Sequence, residues 1–436
     1  MAHKKNQQRF LPIPGLVVLG AIAMALLVLA SPPLAHAGGF FLYELGTSDV
    51  GLASAGYAAR AQDASTLFTN PAGMTMLDHS QILVGVQPLY THMVFSPGGN
   101  TTTRGTDGGN SIVPLPGGSF FLVYSISNKL KLGFGSFAYF GGALEYNLNW
   151  VGRYFLQGAT LLGISYMPAI AYRVNDWLSV GGGLNIMLGF IREKAAVRNL
   201  VPINDGQVKY QDYTVGFGGD IGIMLQPDEK TRVGITYLTP VDLNFSAIPH
   251  FRGVGPVVMT LLGRRGFLGS SVDLGLTVPQ EVMVSVYREV TDRLALLGNV
   301  NWQDWSQFGE VGISVNTANP SSLTQNFNYQ DTWQIAAGAQ YKVTPQWLLS
   351  AGFAFDSSMV TDSTRTVSAP IGAQYRYGAG TQYKWNEHLT TGFSYELMWQ
   401  GDLPLTQTKG SGRDLLSGEF TNTLINFFAV NLVYVF

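Results

Sequence analysis

Four histidines follow Ala37, at His79, His92, His250 and His388, and none stands three or four residues from another, the spacing that brings two imidazoles to one metal. No Gly-x-Ser-x-Gly elbow occurs, so a Ser–His hydrolase would lack its usual nucleophile turn. Zero cysteines remove thiol nucleophiles, Cys-ligated zinc, iron–sulfur clusters and disulfides. Pieces such as Gly216-Phe217-Gly218 lie in alternating runs with no helix after them, which a dinucleotide loop requires. No catalysis, metal or cofactor is expected. What remains is a few isolated charges, Asp220, Arg376 and Glu396, set in apolar surroundings. A lone buried charge is expensive, so their expected chemistry is ion pairing with another part of the chain.

The elements that carry these charges follow from composition. The 436 residues are 46% hydrophobic and 12% aromatic but only 12% charged, against about 25% in soluble domains. The formal net charge of -2 gives no reason to expect nucleic acid. His3, Lys4, Lys5 and Arg9 precede an apolar run from Gly15 to Ala30 and then Ala35-His36-Ala37, the order of a secretory signal peptide, with cleavage expected after Ala37. The run is shorter than the roughly 20 residues of a spanning helix, which is the alternative. No later stretch is long and apolar enough for a helical span, so export of so apolar a chain points to a closed β-barrel.

Period-two alternation supports this. From Ala373 to Trp385, Tyr375, Tyr377, Ala379, Thr381, Tyr383 and Trp385 share one face and Arg376, Gly378, Gly380, Gln382 and Lys384 the other. Similar runs predict strands near 79–92, 119–127, 130–141, 159–174, 177–193, 208–226, 231–245, 272–290, 293–315, 330–343, 346–358, 373–385, 388–400 and 423–436. Tight turns such as Asn175-Asp176 and Asn386-Glu387 alternate with long segments such as 93–118, 246–271 and 401–422. An all-β fold is expected: a 14-stranded antiparallel transmembrane β-barrel with both termini periplasmic, in the outer membrane of a Gram-negative bacterium. The last strand alternates Phe428, Val430, Leu432, Tyr434 and Phe436 outward and ends on the aromatic carboxy-terminus.

Inward positions on that strand include Ile425, Phe427, Ala429, Val433 and Val435, too apolar for a water-filled pore and suited to holding hydrophobic molecules or packing on a filling. Residues 38–77 contain no transmembrane strand. They are expected to fold inward as a plug, since fourteen strands enclose more space than wall side chains fill. The expected domains are therefore 1–37 signal peptide, 38–77 plug and 78–436 barrel. Asp220, Arg376 and Glu396 would anchor the plug through Glu44, Asp49, Arg60 and Asp63. Pro168, Pro240 and Pro279 fall within predicted strands, where they cannot donate a ladder hydrogen bond.

The plug carries Gly39-Phe40-Phe41, Gly51-Leu52-Ala53-Ser54-Ala55-Gly56 and Asp63-Ala64, followed by Asn70-Pro71-Ala72-Gly73-Met74. This resembles the FadL/TodX (OmpP1) family of outer-membrane transporters of hydrophobic compounds, whose hatch carries an Asn-Pro-Ala signature. The resemblance implies passive uptake of long-chain fatty acids or of aromatic or aliphatic hydrocarbons. It implies landing on apolar loop residues, here Val257, Val258, Met259, Leu261 and Leu262, and gating by the hatch end with Phe40 and Phe41. It also implies lateral exit at an inward kink of the third strand, here the strand with Gly133 and Gly135. Trp150-Val151-Gly152-Arg153-Tyr154 is similar to a family segment near the barrel mouth, where Arg153 would meet a substrate carboxylate. The bilayer and lipopolysaccharide are the expected surroundings of a monomer. The alternatives are a general diffusion porin and, more weakly, an outer-membrane lipid hydrolase.

Overall fold

A computed structural model describes residues 39–199, 204–264, 266–316, 321–409 and 414–436. The expected signal peptide, 1–37, lies outside them. Fourteen antiparallel strands close into one barrel. They are β1 (Gln81–Gln87 continued by Leu89–Pro97), β2 (Gly117–Ser125), β3 (Leu130–Glu145), β4 (Gly158–Arg173), β5 (Leu178–Val197), β6 (Gly206–Asp228) and β7 (Thr231–Leu238). The second half comprises β8 (Glu281–Glu289), β9 (Leu294–Gln303), β10 (Thr332–Lys342), β11 (Trp347–Asp356), β12 (Gln374–Lys384), β13 (Leu389–Lys409) and β14 (Asp414–Val435). β14 closes the ring on β1, with Gln81 opposite Val435 and Leu89 opposite Phe427. Pro88, which has no N–H, marks the joint between the halves of β1.

Alternation decides which face meets lipid. Val430, Leu432 and Tyr434 are exposed while Ala429, Asn431 and Val433 between them are buried. Exposed Trp177, Trp347, Trp385, Tyr434 and Phe436 lie near the short turns, Trp333 at the far end of β10 and Trp399 midway along the longer β13. Aromatic side chains at two levels are the mark of two membrane interfaces. β7 to β12 have 8 to 11 residues each, close to the ~9–11 that a tilted strand needs to cross hydrocarbon. β13 and β14 run well beyond that, with 21 and 22 residues, so much of the segment expected as a loop at 401–422 is strand.

Three predicted strands are broken where the sequence reading ran them through. The chain leaves the wall after β7 at Thr239-Pro240, before β8 at Pro279-Gln280, and after β9 at a short helix, Trp305–Phe308. Beyond these breaks Val241–Ala247, Val272–Val278, Glu310–Val315 and Ser321–Asn326 form a separate four-stranded sheet. Proline cannot supply the N–H that would carry the ladder on. That sheet leans inward: Val241 and Leu243 pack over the lumenal side of Gly216 and Gly189 in β6 and β5. β6 consequently pairs with β7 only from Asp220 to Asp228. Pro168, by contrast, breaks nothing. It keeps its place opposite Phe134, and only the pairing to β5 skips it.

Candidate functional site

The segment from Phe41 to Leu77 is buried at every residue except Leu42, Gln62 and Met76, which are half-buried. It occupies the lumen, touching β11, β12, β13 and β14 through the turn Ser48–Leu52 and β4, β5 and β6 through the turn Pro71–Met76. Such close approach explains the glycines of the wall. A Cβ on Gly234 or Gly352 would overlap the carbonyl oxygens of Ala58 and Leu52, and one on Gly222 would overlap the Asn70 side chain. Gly234→Ala or Gly352→Ala should therefore loosen the segment by about 1–3 kcal/mol, read as increased ion conductance in planar bilayers. Gly142→Ala, whose added carbon meets open space, should leave conductance as it is.

The Asn-Pro-Ala motif fastens this segment. Asn70 caps the turn Pro71–Met76, its Oδ1 accepting from Ala72 N–H at 3.1 Å, and its amide donates to the carbonyls of Ala58 at 2.8 Å and Ile223 at 3.0 Å. One side chain thus ties two turns of the segment to β6. Pro71 sits where the missing N–H costs nothing. Ala72 and Gly73 leave no room for a larger side chain against β5 and Thr66, and Met74 is fully buried against Gly133.

Ionic contacts come in two groups. Within the segment, Arg60 holds Asp49 at 2.6 Å and Asp63 at 2.8 Å. Burial works against the guanidinium charge, but the two carboxylates outweigh it and raise its pKa above the usual value. Asp49, Arg60 and Asp63 therefore brace the segment internally and do not reach the wall charges expected for them. Between segment and wall, Arg376 meets Glu44, Asp356 at 2.7 Å and Glu396 at 3.3 Å, with every side chain at most 3% exposed. Arg376 also lies 5.3 Å from the Tyr43 ring centroid. Of the three wall charges, Arg376 meets the segment at Glu44, Glu396 meets only Arg376 in the wall, and the two carboxylate oxygens of Asp220 have no hydrogen-bond partner among the described residues.

The start of the segment meets an irregularity in β3. β2 pairs with β3 only as far as Ser119 opposite Phe137. One residue on, β3 bulges between Ala138 and Phe140, and Gly141 takes a φ of 119°, open to glycine alone. There the segment replaces β2 as partner: Leu42 N–H donates to Tyr139 O at 2.8 Å and Gly141 N–H to Phe40 O at 2.9 Å. Phe41 packs on Trp305, Tyr139 and Phe140 with ring centroids 5.1, 5.6 and 6.1 Å away, and Phe40 on Phe308 at 5.6 Å. Gly133 and Gly135, expected at the kink, instead face Leu67 of the lumenal segment. They are contact glycines; the bend lies at 138–141, signalled in the sequence only by Gly141-Gly142.

Toward the long loops, Val257, Val258, Met259, Leu261 and Leu262 lie on the helix Pro256–Arg264, none of whose residues is buried. Val257 and Leu261 are each 48% exposed. Arg153 is committed: its Nε donates to Asp205 at 2.9 Å and its Nη1 to the carbonyl of Arg104 at 2.8 Å. The sequence reading overlooked Trp305, Phe308, Tyr139 and Phe140, whose common contact depends on the inward turn of the chain after β9.

A closed barrel with exposed apolar bands and a buried segment against its inner wall defines a transmembrane β-barrel of the outer-membrane class. Residues 27–436 match the family described as outer membrane protein transport protein (OMPP1/FadL/TodX), and the chain belongs to that family. It is 30% identical to the 47 kDa outer membrane protein of Pasteurella multocida, over 86% of this chain and 90% of that one. It is 26% identical to the long-chain fatty acid transport protein of Salmonella typhi, again over 86% and 90%. Among solved structures, a Pseudomonas aeruginosa FadL homologue superposes with a TM-score of 0.80 at 21% identity, covering 92% of this chain and all of that one.

Proposed function

We propose that this protein carries hydrophobic small molecules across the outer membrane by downhill diffusion, with residues 38–77 as a hatch and 78–436 as the channel. Cargo lands on the exposed apolar helix with Val257, Val258, Met259, Leu261 and Leu262, moves into the aromatic cage now filled by Phe40 and Phe41, and leaves sideways where β3 parts from β2. The observation that carries this is the hydrogen bonding of Phe40 and Leu42 to Gly141 and Tyr139. One withdrawal of that strand empties the cage and unseals the wall together. The channel works as a monomer surrounded by lipid and lipopolysaccharide, and it performs no catalysis.

Gly142→Trp tests the exit. The position faces open space, so the ring should fill the gap without disturbing the fold. Uptake of a hydrophobic probe into liposomes should fall severalfold while the folded barrel band on unheated gels persists; undiminished uptake rejects the exit. Large steady ion conductance by the unaltered protein would favour a general diffusion porin instead.

A further inference from the structure

At the long-loop end, the outer face of the barrel carries a row of cations. Alternation on β5 turns Asn185, Met187 and Ile191 inward, where they are buried, and Phe190, Arg192 and Lys194 outward. On β6 it turns Tyr213, Val215 and Phe217 outward, each more than half exposed, and with them Gln211 and Lys209. The ladder register aligns the two sets: Phe190 lies opposite Tyr213, Arg192 opposite Gln211 and Lys194 opposite Lys209. The short strand His250–Arg252 extends the row on the other edge of β6, with His250 opposite Lys209 and Arg252 opposite Gln207.

Like charges directly opposite one another on one face of an antiparallel pair cost stability. Lys194 and Lys209 are such a pair. Glu145, which lies across Gly158 from Lys194, meets Lys194 Nζ at 2.6 Å. Among the described residues Arg192, Lys209 and Arg252 make no ion pair, and the neighbouring pairs, Arg153 with Asp205 and Arg198 with Asp414, are closed on themselves. Four cations thus face one carboxylate. The bias is local, since the exposed charges just beyond Trp399 on β13 and β14 are Asp402 and Glu419.

The height of the row points to what neutralises it. Phe190 and Tyr213, with ring centroids 4.7 Å apart, belong to the lipid-facing band. Two residues of a strand tilted by ~45° rise about 5 Å, which sets Arg192 about 5 Å and the two lysines about 10 Å above those rings. That is the depth of the head groups, just outside hydrocarbon. The cations span three neighbouring strands, about 10 Å across, which is wider than a single phosphate and suits a sugar head group that carries more than one.

We infer that Arg192, Lys194, Lys209 and Arg252 form a binding site for the phosphorylated sugar head of lipopolysaccharide, whose acyl chains lie on Phe190 and Tyr213 below. Its phosphates take the place of the missing carboxylates through charge-assisted bonds. The site stands on the outer wall and does not depend on what the channel carries.

The test uses the full mature protein in non-ionic detergent free of glycolipid. It is titrated with three probes: bis-phosphorylated lipid A, the same glycolipid stripped of phosphate, and phosphatidylglycerol. Lipid A should bind at least about tenfold more tightly than either of the others, each surface cation adding severalfold. Lys194→Gln with Lys209→Gln should lower lipid A affinity at least about tenfold and leave the stripped form unchanged. Lys129→Gln with Lys230→Gln, an equal loss of charge at the short turns, should change neither. Without glycolipid, Lys209→Gln should unfold at a higher temperature than the unaltered protein, because the like-charge pair is gone; with lipid A present the order should reverse. Retention of the folded band on unheated gels qualifies each variant. Equal binding of the stripped form, equal binding of phosphatidylglycerol, or an affinity for lipid A unmoved by the double change at 194 and 209 would overturn the inference.

Discussion

Replacing Arg376 with methionine should detach the amino-terminal segment from the wall while the barrel itself stays closed. Three carboxylates, from Glu44, Asp356 and Glu396, converge on this one guanidinium where water does not reach. Removing the cation strands them, and breaking a buried ion network from one side costs about 3–5 kcal/mol. The strands that carry Asp356 and Glu396 are held on both edges by ladder hydrogen bonds, so the element free to move is the one bearing Glu44. Arg376→Met should raise bilayer conductance and open the stretch around Glu44 to protease. Arg376→Lys restores the charge but not the fork that serves several partners at once, so it should recover part of the effect. Neutralising all four, with Glu44→Gln, Asp356→Asn and Glu396→Gln added, should recover more than the single change, because exchanging a whole buried network is far cheaper than halving it. Unchanged conductance and proteolysis in Arg376→Met would mean that the ion cluster does not hold the segment.

How much of this was legible beforehand depends on which solvent a residue meets. Inside hydrocarbon every strand must show lipid an apolar face, so Tyr375, Tyr377 and Ala379 announced β12, and the strand count followed. The isolated inward charges suggest a filled lumen; Arg376 lies against Glu44 of the lumenal segment, while Glu396 reaches only Arg376. Above the membrane that constraint lapses. Pro240 and Pro279 say where a ladder stops but not which way the chain turns, and it turned inward to build the small sheet over β5 and β6. Glycine carries the same ambiguity: Gly133 and Gly135 are places where Leu67 presses on the wall, whereas the bulge lies at 138–141, where Gly141-Gly142 is the one sign in the sequence. Asp220 read as an anchor because a buried charge was assumed to have a partner within the chain.

Joining Phe41 to Phe140 should stop transport. The two residues face each other as an antiparallel pair bracketed by the bonds from Leu42 to Tyr139 and from Gly141 to Phe40. Facing residues that do not themselves exchange those bonds have Cα atoms about 4.5 Å apart, within the span of a disulfide. The chain has no cysteine of its own, so Phe41→Cys with Phe140→Cys gives a single defined crosslink on oxidation. Oxidised protein should carry a hydrophobic probe no faster than empty liposomes, and reductant should restore the rate of the reduced double variant, which also accounts for the two lost rings. Ion conductance should stay low in both states, because the ion cluster and Asn70 still hold the rest of the segment in place. Probe uptake that continues in fully oxidised protein would show that Phe40–Leu42 need not leave β3, and the coupling of cage and wall opening would then have no mechanical basis.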